Sequence, residues 1–189
     1  MIENRTEDYR EQLISLLNAY TPYEASDELS KQKTLDFIAS NDVIYGTLNP
    51  HGHITASSWL INFIGDSVLM THHKKLDLWL QLGGHTELNE SIQQSAMRET
   101  IEESGLKALD FVDAEIFDID VHEIPLRKNQ ASHYHYDIRF LIRQTTEEGF
   151  TISDESNALK WVKLTEVNRL TNQRSVIRMV EKYLYLNER

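Results

Sequence analysis

Residues 83–106 read Gly-Gly-His-Thr-Glu-Leu-Asn-Glu-Ser-Ile-Gln-Gln-Ser-Ala-Met-Arg-Glu-Thr-Ile-Glu-Glu-Ser-Gly-Leu. The order of these residues predicts a loop, a helix and a helix stop. The two glycines allow a sharp turn after an apolar run, and Asn89 or Ser91 can cap the helix that follows. Gly105 can adopt the left-handed backbone conformation that commonly ends a helix. The stretch therefore predicts a strand followed directly by a helix over residues 90–104.

Carboxylates occupy one flank of this predicted helix. At 100° per residue, Glu99 and Glu103 lie on the stripe that should face the core, and Glu102 lies beside it. Ionised carboxylates turned inward are costly unless they are paired or bind a metal. A hard divalent cation such as Mg²⁺ suits such oxygen ligands, and Arg98 can reach Glu102 or Glu90 and hold the array in place. The alternative is an exposed acidic helix with salt bridges.

The same stretch resembles the Nudix box, whose pattern is Gly, five residues, Glu, seven residues, Arg-Glu-apolar-any-Glu-Glu-any-Gly-apolar. The positions in register are Gly84, Glu90, Arg98, Glu99, Glu102, Glu103, Gly105 and Leu106. Only Thr100 departs from the pattern, at a position where an aliphatic residue is usual. So many matches in one window make chance agreement improbable, and the resemblance favours a metal site over an exposed acidic helix.

The resemblance implies an α/β fold, an α/β/α sandwich around a mixed sheet, preceded here by a helical N-terminal extension. It also implies a Mg²⁺- or Mn²⁺-dependent hydrolase of a nucleoside diphosphate linked to another moiety, such as ADP-ribose or a nucleotide sugar. Carried over by position, the metal ligands would be the Gly84 carbonyl, Glu99, Glu102 and Glu103. One of these glutamates would help deprotonate water, and Arg98 would orient them. The alternative is a non-catalytic Nudix-like sensor that binds a nucleotide; the complete glutamate set favours the enzyme.

The composition bounds the size and the partners of the protein. The chain has 189 residues, 40% of them hydrophobic, which suits one domain with a small extension. The formal net charge of −11 argues against a nucleic-acid polymer as the main partner, because such binding is driven by Lys and Arg. We therefore expect a small nucleotide diphosphate as substrate, and a homodimer is an open alternative to a monomer.

The compartment is predicted from what the sequence lacks. The chain has no cysteine, so it has neither a disulfide framework nor a zinc-thiolate site. Its start has no apolar core of a signal peptide, and no apolar run approaches the ~20 residues needed to span a bilayer. These features predict a cytoplasmic protein with no membrane partner.

The order of the chain predicts a helical extension over residues 1–42 and a catalytic domain over residues 43–189. The extension reads as two helices separated by Thr21-Pro22. Strands are predicted next, at residues 43–48, 54–64, 68–72 and 76–82. Four histidines lie near these strands, and we expect them to be surface or satisfied core residues rather than ligands. They are His51, His53, His72 and His73.

Two later strands, at residues 116–122 and 132–142, alternate polar and apolar residues. If they pair as antiparallel neighbours, their polar faces form one wall, and the opposite face would be the core, with Tyr134, Tyr136, Ile138 and Phe140 on it. Arg139 could grip a phosphate or carboxylate, and Asp137 could fix the tautomer of a neighbouring histidine. The alternatives are a solvated outer face, or a second metal at His135 and Asp137. The candidate substrate contacts are His122, Arg127, His133, His135 and Arg139.

A polar loop over residues 149–157 carries Asp154 and Glu155 ahead of a predicted strand at residues 159–164. Members of the Nudix family often supply an extra metal-binding or base carboxylate from a loop of this kind. The resemblance therefore gives that catalytic role to Glu155. One or two helices are predicted to end the chain, over residues 165–186.

Overall fold

The computed structural model describes residues 2–126 and 131–188. Its helices are α1 (Ile2–Ala19), α2 (Ala25–Ser40), α3 (Ile92–Ser104) and α4 (Arg174–Asn187), with a short 3₁₀ helix at Leu164–Arg169. Its strands are β1 (Gly52–Ile61), β2 (Ser67–His73), β3 (Leu78–Leu80), β4 (Leu82–His85), β5 (Leu109–Phe111), β6 (Asp118–Ile124), β7 (His133–Gln144) and β8 (Ser156–Lys163). The α/β class, the mixed sheet and the two N-terminal helices confirm the predicted fold class.

Within the described residues the strands form one sheet in the order β3-β2-β1-β7-β5, with β4 beside β1, β6 beside β7 and β8 beside β2. The chain divides into two compact units. The first unit comprises Met1–Ser57, Gly84–Ala96 and Ala114–Phe140, and the second comprises Ser58–Gly83, Met97–Asp113 and Leu141–Arg189. In the part of the chain that the structure describes, every helix is too short or too polar to span a bilayer.

The first unit contains the two N-terminal helices and a pair of antiparallel strands. Leu13 and Leu17 of α1 are buried, as is Phe37 of α2. Phe37 stacks on Tyr136 of β7 with 4.1 Å between the ring centroids, so the N-terminal helices help to form the core of this unit. Strand β6 pairs with β7 in a register that sets Ile119 opposite Ile138. The predicted domain boundary after residue 42 stays a prediction.

The second unit contains the strands around β2 and the end of helix α3. Strand β2 pairs antiparallel with both β3 and β8, and β5 pairs antiparallel with the end of β7. Gly105, directly after α3, has a φ of +70°, and a Cβ atom there would lie 3.0 Å from the Cβ of Thr151. Any side chain at this position would be both strained and crowded. The glycine therefore ends the helix as predicted.

Two of the predicted strands differ in the structure. Residues 43–48 form no strand, and the apolar pattern there arises because Ile44 and Tyr45 are buried in an irregular segment. Residues 76–82 divide between β3 and β4, so Gly83 and Gly84 lie inside a strand rather than in a loop. Gly83 has a φ of +152°, a conformation that favours glycine, so its flexibility serves an irregular strand instead of a sharp turn.

Candidate functional site

A reciprocal pair of hydrogen bonds starts helix α3. The Oγ of Ser91 accepts the N–H of Gln94 at 3.2 Å, and the side-chain oxygen of Gln94 accepts the N–H of Ser91 at 2.8 Å. This arrangement is a capping box, which satisfies two backbone donors that the helix leaves unpaired. Of the two predicted caps, Ser91 is thus the one that the structure uses. At the other end, the N–H of Gly105 donates to the carbonyl of Ile101 at 2.8 Å.

Three glutamates on the last turns of α3 differ in their exposure. The side chain of Glu102 is 58% exposed, that of Glu99 is mostly covered, and Glu103 is only 5% exposed. The N–H of Gly83 donates to Glu103 at 3.0 Å. Arg98 donates to Glu99 at 2.8 Å and to Glu102 at 3.2 Å. The helix thus presents one buried and two arginine-held carboxylates, on the flank that the sequence predicted.

The electrostatics of these carboxylates are unfavourable without a cation. Burial raises the pKa of Glu103 to about 8, although the N–H of Gly83 opposes the shift. The charges of Glu99 and Glu155 raise this pKa as well. Burial also raises the pKa of Glu99, with Arg98 acting against it and the charge of Glu155 adding to it. Glu155 lies in the exposed turn before β8, so its carboxylate belongs to the same electrostatic group, which we call the carboxylate group.

The carboxylate group fits a hard divalent cation. It consists of Glu99, Glu102, Glu103 and Glu155, all of which offer oxygen donors, with Arg98 as the basic residue that pairs with two of them. Mg²⁺ and Mn²⁺ prefer oxygen ligands, and a bound cation would offset the cost of the buried charge on Glu103. Gly84, whose carbonyl was the remaining predicted ligand, lies in β4 and belongs to the first unit.

Five histidines come together in the first unit, where we call them the histidine cluster. The ring centroid of His53 lies 5.0 Å from that of His85 and 4.7 Å from that of His135. His122 and His133 lie 5.6 and 5.2 Å from His135. The sequence predicted that three of these residues share a face and missed the other two. The members are His53, His85, His122, His133 and His135.

The two missed histidines come from separate segments of the chain. His53 was expected to be a surface or satisfied core residue, but both of its ring nitrogens are buried without a hydrogen-bond partner among the described residues. A signal for it exists in β1, where His53, Thr55 and Ser57 alternate with apolar residues and so share a strand face. His85 lies at the end of β4. The sequence around His85 shows no such alternation of polar and apolar residues.

Two members of the histidine cluster, His53 and His135, are neutral. Burial lowers the pKa of His53 to about 4, and the neighbouring His85 and His133 lower it further. Burial likewise lowers the pKa of His135 to about 2, with smaller contributions from the histidines around it. At neutral pH these imidazoles therefore carry no positive charge with which to attract a phosphate.

The polar face of β7 is directed inward, which corrects one expectation. It is not a solvated outer face, because His133, Asp137 and Arg139 are all buried. The opposite face was predicted to be the core, and its Ile138 and Phe140 are buried, whereas Tyr134 near the start of the strand is exposed. Alternation along a strand separates two faces but does not say which one is covered, and here the N-terminal helix α2 covers only part of the aromatic face, through Phe37.

Arg139 was predicted to grip a substrate, and the structure gives it other partners. Its side chain is 2% exposed and lies 2.7 Å from Asp137, 3.1 Å from Asp118 and 3.4 Å from Asp120. Burial acts to lower the pKa of Arg139, but the three carboxylates outweigh that effect and raise it. The guanidinium is thus occupied inside the first unit, where Thr55 also donates to Asp137 at 3.0 Å. Arg127, a further predicted contact, lies outside the described residues.

The α/β fold with a mixed sheet, and the capped helix whose last turns carry clustered carboxylates, are those of a Nudix-type hydrolase. A family model described as NUDIX domain matches residues 52–183. A curated protein from Lactococcus lactis subsp. cremoris (strain MG1363), named probable DHNTP pyrophosphohydrolase, is 32% identical over 141 residues, covering 73% of this chain and 81% of the relative. The chain therefore belongs to the Nudix family, and it is a pyrophosphohydrolase of the Nudix type.

Solved structures share the fold. The Escherichia coli dihydroneopterin triphosphate pyrophosphohydrolase superimposes with a TM-score of 0.55 at 19% identity, covering 76% of this chain and 99% of its own. A Caenorhabditis elegans Ap4A hydrolase superimposes with a TM-score of 0.59 at 16% identity, covering 71% and 97%. At these identities the likeness concerns the fold, and it places no substrate on this chain.

Proposed function

We propose that this protein hydrolyses a pyrophosphate linkage in a small nucleotide, with Mg²⁺ or Mn²⁺ held by Glu99, Glu102, Glu103 and the carbonyl of Gly84. The observation that supports this proposal best is the buried carboxylate of Glu103. It is 5% exposed, and burial raises its pKa to about 8, with the charges of Glu99 and Glu155 adding to the shift. A bound divalent cation would supply a counter-ion for this carboxylate.

The residues around the cation have separate tasks in this proposal. Arg98 fixes the orientation of Glu99 and Glu102 through its two hydrogen bonds. Glu155, on an exposed turn, supplies a further ligand or the general base that takes a proton from water. When bound, the cation offsets the charge of the phosphates and lowers the pKa of a water molecule.

There are two candidate substrates, and they would give different products. The Nudix box supports a nucleoside diphosphate linked to another moiety, such as ADP-ribose or a nucleotide sugar, which would yield two monophosphates. The relative named as a probable DHNTP pyrophosphohydrolase favours a second candidate, a pterin triphosphate, which would release pyrophosphate. The net charge of −11 supports a small substrate of either kind over a long nucleic acid. A cytoplasmic location and a homodimer stay predictions.

Of the three predicted histidine contacts, His122 is the most accessible to a substrate from solvent. Its side chain is 42% exposed, and its Nδ1 lies 3.0 Å from Asp120, which fixes the orientation of the ring. His133 is buried, with its Nδ1 3.0 Å from the carbonyl of Ala131, and is a less accessible contact. Replacing His122 by Ala is therefore expected to raise KM and change the ranking of substrates, with the dependence on Mg²⁺ unchanged.

One assay separates the two candidate substrates. The protein is incubated with ADP-ribose, a nucleoside diphosphate sugar or dihydroneopterin triphosphate, each with Mg²⁺ or Mn²⁺. Inorganic pyrophosphatase alone reveals pyrophosphate, whereas alkaline phosphatase added after removal of the enzyme reveals monophosphate products. With ADP-ribose or the nucleotide sugar, whose intact diphosphate resists alkaline phosphatase, phosphate that appears only with alkaline phosphatase supports the linked diphosphate. With dihydroneopterin triphosphate, phosphate released with pyrophosphatase supports the triphosphate. Tight binding of a compound without turnover of any of them would instead support the alternative, a non-catalytic sensor that binds a nucleotide.

A further inference from the structure

The histidine cluster contains a buried residue whose polar atoms lack partners. His53 is 1% exposed, and neither of its ring nitrogens has a hydrogen-bond partner among the described residues. Buried polar atoms in folded proteins are nearly always paired, and an orphaned one indicates a missing water, ion or ligand. The neighbouring His133 does not supply a hydrogen bond to His53, because the two rings stack rather than meet edge to edge.

We propose that His53, His85 and His135 bind one borderline transition-metal ion, of which Zn²⁺ is the first candidate, through their imidazole nitrogens. One nitrogen from each ring lies within 4.8 Å of the other two. Two nitrogens on a tetrahedral zinc ion lie roughly 3.4 Å apart, given a Zn–N bond of about 2.0–2.1 Å. Closing the trio onto an ion therefore needs only small side-chain movements, and His85 is exposed enough to make them.

The three ligands come from three segments with defined backbone positions. His53 lies near the start of β1, His85 ends β4 and His135 lies near the start of β7. Ligands carried on strands are held more closely than ligands on loops. Around them, His122 packs against His135 and is itself held by Asp120. Such outer contacts orient metal-binding imidazoles in other proteins.

The chemistry of this trio separates it from the carboxylate group. Neutral imidazole nitrogen suits Zn²⁺, Co²⁺ and Ni²⁺, whereas Mg²⁺ prefers oxygen and keeps its waters. The trio uses none of the glutamates of α3, so it is a second metal site of a different class. Three protein ligands leave a fourth position, which water or an oxygen atom of a bound molecule can take.

The experiment measures metal binding and needs no hydrolysis. The full chain is stripped with a chelator, dialysed and titrated with Zn²⁺ by calorimetry and with Co²⁺ by visible absorption, in excess Mg²⁺. The Glu102→Gln variant is titrated in parallel, because it weakens the carboxylate group and leaves the three histidines in place. One ion per chain is expected in both proteins, with the intense d–d bands of Co²⁺ in a low-coordinate nitrogen site.

Two histidine variants then test the ligands. His85→Ala changes an exposed residue, and His135→Gln keeps a polar side chain of similar size, so both are chosen to preserve the fold. Each is expected to weaken Zn²⁺ binding by about 100-fold or more, since even outer contacts of metal ligands are worth 10- to 100-fold. His51→Ala is the matched control, because His51 is exposed and lies in the same unit outside the cluster, and its affinity should be unchanged.

The outcomes are distinct from those of the hydrolysis assay. Zn²⁺ binding that is absent, or that is equal in His85→Ala, His135→Gln and the unsubstituted chain, overturns the second site even if the enzyme is active. Conversely, histidine-dependent binding in a protein that hydrolyses none of the tested compounds would support the site and contradict the proposed function. A folded His53→Phe variant with gained thermal stability and lost Zn²⁺ binding would add further support.

Discussion

The carboxylate group and the histidine cluster are both polar sites held partly away from solvent, but their electrostatics differ. Glu103 is buried with the charges of Glu99 and Glu155 against it, so ionising the group without a cation is unfavourable. His53 is buried and His135 is half-buried, both as neutral rings, so they carry no charge to compensate. A cation at the carboxylate group would balance charge, whereas a cation at the histidine cluster would pair one nitrogen of each ligating ring.

The two regions also differ in how the chain builds them. Three of the carboxylates lie within a single stretch on one helix, α3, so their spacing in sequence fixes their positions in space. The histidine cluster is assembled from β1, β4, β6 and β7, so only the fold brings its members together. A helical site can therefore be recognised from sequence, and a site made by several strands cannot.

The largest expected effect is on turnover in the carboxylate group. Glu102→Gln and Glu103→Gln should each lower kcat by about 1,000-fold, equivalent to about 4 kcal/mol, because each removes a charged ligand or base. Thermal stability without metal should be unchanged or higher, since either change relieves repulsion. Steady-state kinetics on the identified substrate and a thermal melt in chelator check both parts.

The matched control for these variants is Glu147→Gln, which neutralises an exposed glutamate in the same unit. It should leave kcat within about twofold, because surface changes away from such sites are usually small. Near-wild-type kcat in both Glu102→Gln and Glu103→Gln would show that these glutamates of α3 have no catalytic role.

The second prediction concerns the charged core of the first unit. Arg139→Met should lower the free energy of unfolding by about 3 kcal/mol or more, because it leaves the buried Asp118 and Asp137 without their cation. Chemical denaturation gives the measurement. Arg169→Met, at an exposed pair with Glu166, should change it by less than about 0.5 kcal/mol. A loss below about 1 kcal/mol for Arg139→Met would show that this network is not a main source of stability.

Local sequence predicted the helix and its carboxylates for a physical reason. A helix is defined by residues three and four apart, and both the cap at Ser91 and the stop at Gly105 act within one turn. The buried flank therefore followed from spacing alone. The same locality explains the wrong strand at residues 43–48, where burial of Ile44 and Tyr45 produces an apolar pattern without strand pairing.

The remaining features depend on contacts between distant segments. Alternation in β7 predicted that His133, His135 and Arg139 share a face, but the covering of that face depends on partners far away in sequence. The three aspartates around Arg139 come from β6 and β7. His53 and His85 were missed for the same reason, since the residues between them form β1, β2 and β3.

The third prediction follows from the raised pKa of Glu103. The pKa is about 8 in the folded protein and ordinarily 4.5, so between these values the folded protein binds more protons than the unfolded chain. The free energy of unfolding of the metal-free protein should therefore fall as pH rises through this window, by at most about 1.4 kcal/mol per unit from this group. Glu103→Gln should reduce that slope, whereas Glu147→Gln should retain it. An equal slope in both variants would assign the pH dependence to other groups.

The smallest effect is expected at the start of α3. Ser91→Ala removes the oxygen that accepts the N–H of Gln94 and should lower the free energy of unfolding by about 1 kcal/mol. Ser40→Ala, which removes an exposed hydroxyl bonded to a carbonyl in α2, is the control and should be nearly neutral. At saturating Mg²⁺ the kcat of Ser91→Ala should be unchanged. Loss of the cap loosens the first turn of α3, whereas the glutamates lie on its last turns. A large fall in kcat with little loss of stability would instead mean that the cap positions the carboxylates directly.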